Sequence, residues 1–127
     1  MITLSIILTV IAAISNAVMD IIQHKYDRSI FSKYNPLFWN PKESWKNKWN
    51  GVDINGKPKE KFLFSSTIFV WTTDAWHLFQ FIQLKCFFLV VILQPNMFTG
   101  LITFVVLHTI YSFVFEIFYS KIFLLKK

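Results

Sequence analysis

Cysteine, glycine and charged residues are all scarce in this sequence. Cys86 is the single cysteine, so one chain cannot build a disulfide framework or a thiolate metal site. With only three glycines, the chain contains no glycine-rich phosphate loop and no G-x-S-x-G motif. Charged residues make up 16% of the chain, against about 25% in soluble domains. These scarcities argue against a soluble domain, a nucleotide-binding loop and a serine hydrolase.

Long apolar runs take the place of those residues. Hydrophobic residues make up 54% of the 127 residues, and 15 of them are phenylalanine. Apolar runs of about 18 residues or more predict membrane-spanning helices. We therefore predict an all-α integral membrane protein, a single domain over residues 1–127, with spans at about 3–22, 66–93 and 97–120. One long loop and one short turn at 94–96 join these spans, which predicts an antiparallel bundle.

The loop between the first two spans, residues 27–62, combines tryptophan with lysine. Asn40 followed by Pro41 predicts a helix start. Trp45 and Trp49 would lie one turn apart on that helix, with lysines elsewhere around it. Tryptophan on one side and lysine on the other is typical of a helix in the membrane–water interface. We therefore predict a short amphipathic helix on the membrane surface.

Lysine and arginine are distributed unevenly around the predicted spans. The segment before Lys25 and the 94–96 turn contain none, whereas the 23–65 loop contains nine and the C-terminal end three. Positive residues favour the cytoplasmic side. We expect a multi-pass protein of the inner, cytoplasmic membrane, with the N-terminus outside and both the 23–65 loop and the C-terminus in the cytoplasm. The absence of basic residues before Lys25 indicates an uncleaved first helix rather than a secretory signal.

Small residues on the first span predict the face on which it packs. Small and polar residues recur at three- and four-residue steps along one face of the first helix, namely Thr9, Ala12, Ala13, Asn16, Asp20 and His24. Small side chains allow close helix approach in lipid. We expect this face to contact the other spans.

Ionisable residues are concentrated in the spans and at their ends. A charge in hydrocarbon costs roughly 2.5–3.5 kcal/mol on insertion scales, so each needs a partner, a cavity or a function. By helical geometry, most of these groups would lie within one or two turns of a common level near the cytoplasmic side. His108, in the middle of the third span, would lie deeper in the membrane. The candidates are Asp20, His24, Asp74, His77, His108 and Glu116.

One interpretation of this polar cluster is a metal site. Histidine nitrogen and carboxylate oxygen at helical spacing suit a divalent transition metal, with Zn, Fe or Mn as the expected cofactor. All six candidates are possible ligands, and Asp74, His77 and Glu116 are the candidate catalytic groups. A metal held there would activate water against a lipid, which predicts a metal-dependent membrane enzyme.

Two other interpretations stay open. The protein could instead be a non-enzymatic membrane subunit, in which the polar residues pair internally and pack helices, or a small ion or proton channel component. The expected partners are the lipid bilayer and a homo-oligomer or larger membrane assembly. Nucleic acid is not expected, because anionic lipid headgroups account for lysine beside tryptophan.

Overall fold

The structure is a computed structural model and describes residues 2–94 and 96–125. Pro95, Lys126 and Lys127, which the topology prediction uses, lie outside the described residues. The described chain is mostly helical, with one small sheet. Its helices and strands are α1 (Ile2–Lys25), α2 (Pro36–Trp39), α3 (Pro41–Ser44), β1 (Trp49–Val52), β2 (Pro58–Glu60), α4 (Ala75–Ile92) and α5 (Met97–Ile117). Short 3-10 turns follow α1 and α3 and precede α4, and a π turn, Phe118–Ile122, extends α5.

Within the described residues, three segments are long and apolar enough to cross a membrane: Ile2–Arg28, Ala75–Ile92 and Thr99–Ile122. Three apolar helices are therefore confirmed. We call the end where α1 finishes and α4 begins the loop side, and the end where α4 finishes and α5 begins the turn side. The first and third segments lie close to their predicted positions.

The second long helix begins later than predicted, at Ala75 rather than near residue 66. The apolar residues before it form turns, because the Glu60 carboxylate accepts hydrogen bonds from the backbone N–H of Phe64 (3.1 Å) and of Ser66 (3.2 Å). Phe64 has a φ of 60°, which lies in the left-handed region that a helix does not use. The hydrogen bonds from Ser66 also lower the pKa of Glu60 below its usual value.

The predicted amphipathic helix is also interrupted. Asn40 does cap α3, accepting from the Lys42 backbone N–H at 3.1 Å, but α3 ends at Ser44 and a 3-10 turn follows. Trp49 then lies in β1, where it pairs antiparallel with Glu60. The hairpin turn includes Gly56 at a φ of 75°, which glycine adopts without strain. The described chain is therefore mostly helical with one small hairpin, and Trp45 and Trp49 do not share a helical face.

Helix α1 is the central element of the molecule. Ala12, Ala13 and Ala17 are completely buried, and α1 packs against both α4 and α5, which make far fewer contacts with each other. Ala75 packs near the end of α1, whereas Cys86 packs against Ala12 and Leu8 nearer its start. The expectation that the small-residue face of α1 contacts the other long helices is confirmed.

Aromatic residues close the loop side. Phe31 stacks on Trp39 with ring centroids 4.7 Å apart, and Phe123 lies 5.0 Å from Phe31. We call these three residues the aromatic cap. Backbone hydrogen bonds also join the loop after α1 to the C-terminal segment. The Ile30 N–H donates to the Phe123 carbonyl (2.9 Å), and the Leu125 N–H donates to the Arg28 carbonyl (2.8 Å). The loop after α1 and the C-terminal segment are thereby held together over the helix ends.

Candidate functional site

The first residue of interest is Asp74, which caps α4. Its backbone is extended (φ −151°), and its Oδ1 accepts the backbone N–H of His77 at 2.9 Å. This bond satisfies one of the free N–H groups at a helix start. Asp74 is 3% exposed. A carboxylate that the sequence analysis places inside the predicted span 66–93 therefore lies at the very beginning of the helix.

The second oxygen of Asp74 binds the ring of His77. Oδ2 and Nδ1 are 2.7 Å apart, and since a carboxylate only accepts, Nδ1 carries the hydrogen and donates it. The His77 side chain is 33% exposed, and its ring packs edge-on against Trp76 with centroids 5.1 Å apart. Nε2 makes no hydrogen bond to a described residue. The ring is held in one orientation with one nitrogen free.

The start of α4 is also fixed from the loop. The Asn47 side-chain amide donates to the Thr73 carbonyl at 2.6 Å, and Lys61 Nζ donates to Asn47 Oδ1 at 2.7 Å. Thr73 itself is buried. The residues just before Asp74 thus have little freedom, and the Asp74–His77 pair is positioned by both the helix and the loop.

Such a pair has a definite chemical capacity. A carboxylate on Nδ1 selects the tautomer of the imidazole and leaves Nε2 as a base, a proton donor after protonation, or a metal ligand. The pair supplies one ligand to a metal, not a complete site. The partly exposed side chain also gives an external group access to the ring.

The other candidates do not join this pair. Within residues 2–94 and 96–125, no group of three or more His, Cys, Asp and Glu side chains could hold a metal ion. The one ion pair between described residues is Asp74–His77. The expectation that the candidates converge at a common level is not realised as a ligand cluster within the described chain, and metal binding stays a prediction.

Each remaining candidate has its own surroundings. Asp20 is half-buried on α1, and His24 is exposed at its end. Glu116 is exposed and accepts a hydrogen bond from the Ser120 hydroxyl. His108 is exposed and stacks on Phe104 with centroids 5.9 Å apart. Among the described residues these side chains form no ligand group of three or more, which helical spacing within each span cannot reveal.

Two polar features lie outside the predicted set. Gln83 donates to the Tyr111 hydroxyl at 2.8 Å and so links α4 to α5. A cavity at the loop side is lined by basic residues that include Arg28 and Lys42. The sequence carries a signal for the second feature, because basic residues gather just after the first apolar run.

Together, these observations define the class as a helical protein with three segments apolar enough to cross a membrane. Comparisons with family models, curated proteins and solved structures find no match for the chain.

Proposed function

We propose that the chain is an integral membrane protein whose three long helices form an antiparallel bundle, with the loop side in the cytoplasm and the N-terminus outside. The lengths and apolarity of the three segments support the spans. Ala75 near the end of α1 and Cys86 near its start support antiparallel α1 and α4. The basic residues of the 23–65 loop support the orientation.

We further propose that Asp74 and His77 form an acid–base site in this protein. The single observation that carries it is the 2.7 Å contact between Asp74 Oδ2 and His77 Nδ1, made by a His77 side chain that is 33% exposed. In an Asp–His pair the carboxylate orients the ring and stabilises its cation, so that Nε2 exchanges a proton with a substrate. Because Asp74 caps α4 at the end of a span, that substrate lies at the level of the lipid headgroups.

A metal-dependent version uses the same geometry. Nε2 of His77 would bind Zn, Fe or Mn, and Asp74 would orient the ring from behind. The metal would supply a Lewis acid or an activated water. The other ligands would have to come from a second copy or from a substrate, because His77 lies in no ligand cluster within the described residues. Elemental analysis of the purified protein and of His77→Gln tests this version.

The experiment for the acid–base site compares lipid extracts of cells that express the wild type, His77→Gln or Asp74→Asn. Mass spectrometry should show one or more lipid species altered by the wild type and unaltered by His77→Gln. Asparagine also caps helices, so Asp74→Asn keeps the fold but removes the carboxylate behind His77. His108→Gln is the matched control, since His108 is exposed on α5. Identical lipids from the wild type and His77→Gln would contradict the proposal.

A non-enzymatic membrane subunit is the second candidate function. The observation that favours it is that both Asp74 oxygens are used within the first turn of α4, as a purely structural cap would use them. On this alternative, Asp74→Ala destabilises α4, while His77→Gln leaves both the lipids and the assembly unchanged. Ion flux in liposomes that His77→Gln abolishes would instead indicate a proton or ion pathway.

A further inference from the structure

A cavity of about 590 Å³ lies at the loop side, beside the end of α1 and the start of α3. Its size is within the range of small-molecule sites. Its lining includes three cationic side chains, Lys25, Arg28 and Lys42, together with other groups that can donate hydrogen bonds. Those other groups are Gln23, His24, Tyr26 and Asn40. Donors and positive charge around one cavity are suited to an anion.

The three cations are not neutralised by the protein. In the described part of the chain, no carboxylate oxygen lies within 4.0 Å of a lysine or arginine nitrogen. Lys25 lies over the Tyr119 ring at 4.5 Å from its centroid, a contact that leaves its charge in place. Arg28 and Lys42 are exposed. The cavity therefore has unpaired positive charge available to an external partner.

Three features of the cavity oppose an anion. The end of α1 points its carbonyl groups toward this region, which adds about half a negative charge. Asp27 also lines the cavity and is exposed, and the carboxylate of Glu43 acts electrostatically on the lining residue Tyr26. The three full positive charges still exceed these negative contributions. The α3 helix is a single turn, so it adds no helix-dipole site of its own.

The position of the cavity identifies the source of the anion. The first apolar segment runs from Ile2 to Arg28, so Lys25 and Arg28 lie at the boundary between hydrocarbon and water. Trp39 and Trp45, on the same loop, suit that boundary. A phosphodiester of a membrane lipid is the anion found at this depth. Soluble phosphates share the same charge but not the attached acyl chains.

We infer that this cavity binds the phosphodiester headgroup of an anionic phospholipid, through Arg28 and Lys42 with Lys25 beside them. This inference rests on the membrane placement proposed above but not on the acid–base site. Binding of lipid there would tie the loop side to the headgroup layer. The phosphate charge would offset the mutual repulsion of the three cations.

The test uses the full-length protein in nanodiscs of phosphatidylcholine, with or without phosphatidylglycerol, and native mass spectrometry of the released protein. The wild type should retain phosphatidylglycerol in preference to phosphatidylcholine. The variant Arg28→Gln/Lys42→Gln should bind it about thirty-fold more weakly, from roughly fivefold per basic residue at a membrane surface. Lys57→Gln/Lys59→Gln changes the same charge in the exposed hairpin and should retain it.

Asp27→Asn adds a second arm. Removing a negative charge from the lining should strengthen phosphatidylglycerol binding severalfold. Because the expected result is a gain of affinity, misfolding of this variant could not produce it. Equal weakening in the two double variants would overturn the inference, because only general surface charge would then matter. An unchanged affinity in Asp27→Asn would also count against a ligand in this cavity.

Inorganic phosphate, added to nanodiscs with and without phosphatidylglycerol, distinguishes the two sources of the anion. Weak competition by phosphate against phosphatidylglycerol supports the lipid. Binding of phosphate without any preference for phosphatidylglycerol would overturn the lipid assignment. Failure of the acid–base proposal looks different, since His77→Gln should bind phosphatidylglycerol as the wild type does. Failure of membrane placement would be seen as protein released from membranes by alkaline carbonate.

Discussion

The loop side and the turn side of this molecule are built in different ways. At the loop side, Ala17, Ile21 and Ala75 are fully buried beneath the aromatic cap. At the turn side, the helix ends are apolar but open, with Ile2 62% and Ile92 75% exposed. The buried residues specify a particular tertiary arrangement, whereas the exposed ones suit lipid equally well in many arrangements. The contrast teaches that specific packing and the polar chemistry occur at the same end.

The largest expected effect is loss of the aromatic cap. Phe31→Ala removes a buried ring that stacks on Trp39 and should destabilise the protein by about 3–5 kcal/mol. Phe113→Ala is the matched control, because Phe113 is 69% exposed on α5. Denaturant unfolding in detergent measures both. Similar losses in the two variants would abolish the contrast between buried and lipid-facing aromatic residues.

Overpacking the central helix should have the next largest effect. Ala13 is completely buried on α1, so Ala13→Leu forces the neighbouring helices apart and should cost about 1–3 kcal/mol. Ser112→Leu also enlarges a small residue, but at an exposed position on α5, and should be tolerated. Thermal unfolding compares them. Unchanged stability of Ala13→Leu would show that α1 is packed less closely than the complete burial of Ala13 indicates.

The caps of α4 and α5 allow a finer comparison of the two sides. Asp74→Ala should cost about 1 kcal/mol, while Asp74→Asn should stay near the wild type. Asn96 caps α5 at the turn side, accepting from Thr99 at 2.9 Å, and is exposed. Asn96→Ala should therefore cost less than Asp74→Ala. Hydrogen exchange in the first turn of each helix measures the difference, and a larger effect at Asn96 would reverse the comparison.

The smallest expected effect is local and depends on pH. The pKa of Glu60 is lowered by hydrogen bonds from Ser66 and Phe64. A lowered pKa in the folded state means that the ionised carboxylate stabilises the turn above its ordinary pKa. This stabilisation is lost as the pH falls through the lowered value. Protection of the Phe64 and Ser66 amides, corrected for intrinsic exchange, should then fall.

Glu60→Gln supplies the control for that titration. Protection of the same two amides should be weaker at neutral pH in this variant and should no longer depend on pH in the acidic range. Unchanged protection would show that the turn before α4 holds without the carboxylate. The late start of α4 would then need another cause.

Much of the outline follows from local sequence signals. Asn40 before Pro41 marks a helix start that the structure contains, because cap and N1 preferences act within a few residues. Hydropathy could not place the start of α4, since residues on both sides of Asp74 are apolar. Hydrogen bonds from Phe64 and Ser66 to the Glu60 carboxylate decided it, because they hold the residues before α4 in turns. Likewise, Trp49 is drawn from the expected helix by pairing with Glu60.

The candidate site, like the fold, could be predicted only in part from the sequence. The three-residue spacing of Asp74 and His77 predicts their proximity, because it needs only one helical turn. Convergence of Asp20, His24 and Glu116 on that pair depends on how three helices rotate and shift against one another, which spacing within a single helix does not constrain. Local sequence patterns are sufficient to predict three apolar helices, a small-residue face on α1 and an adjacent acid–histidine pair. The tertiary structure decided that this pair begins a helix, and that basic residues from α1 and the loop surround one cavity, because both depend on contacts between distant segments.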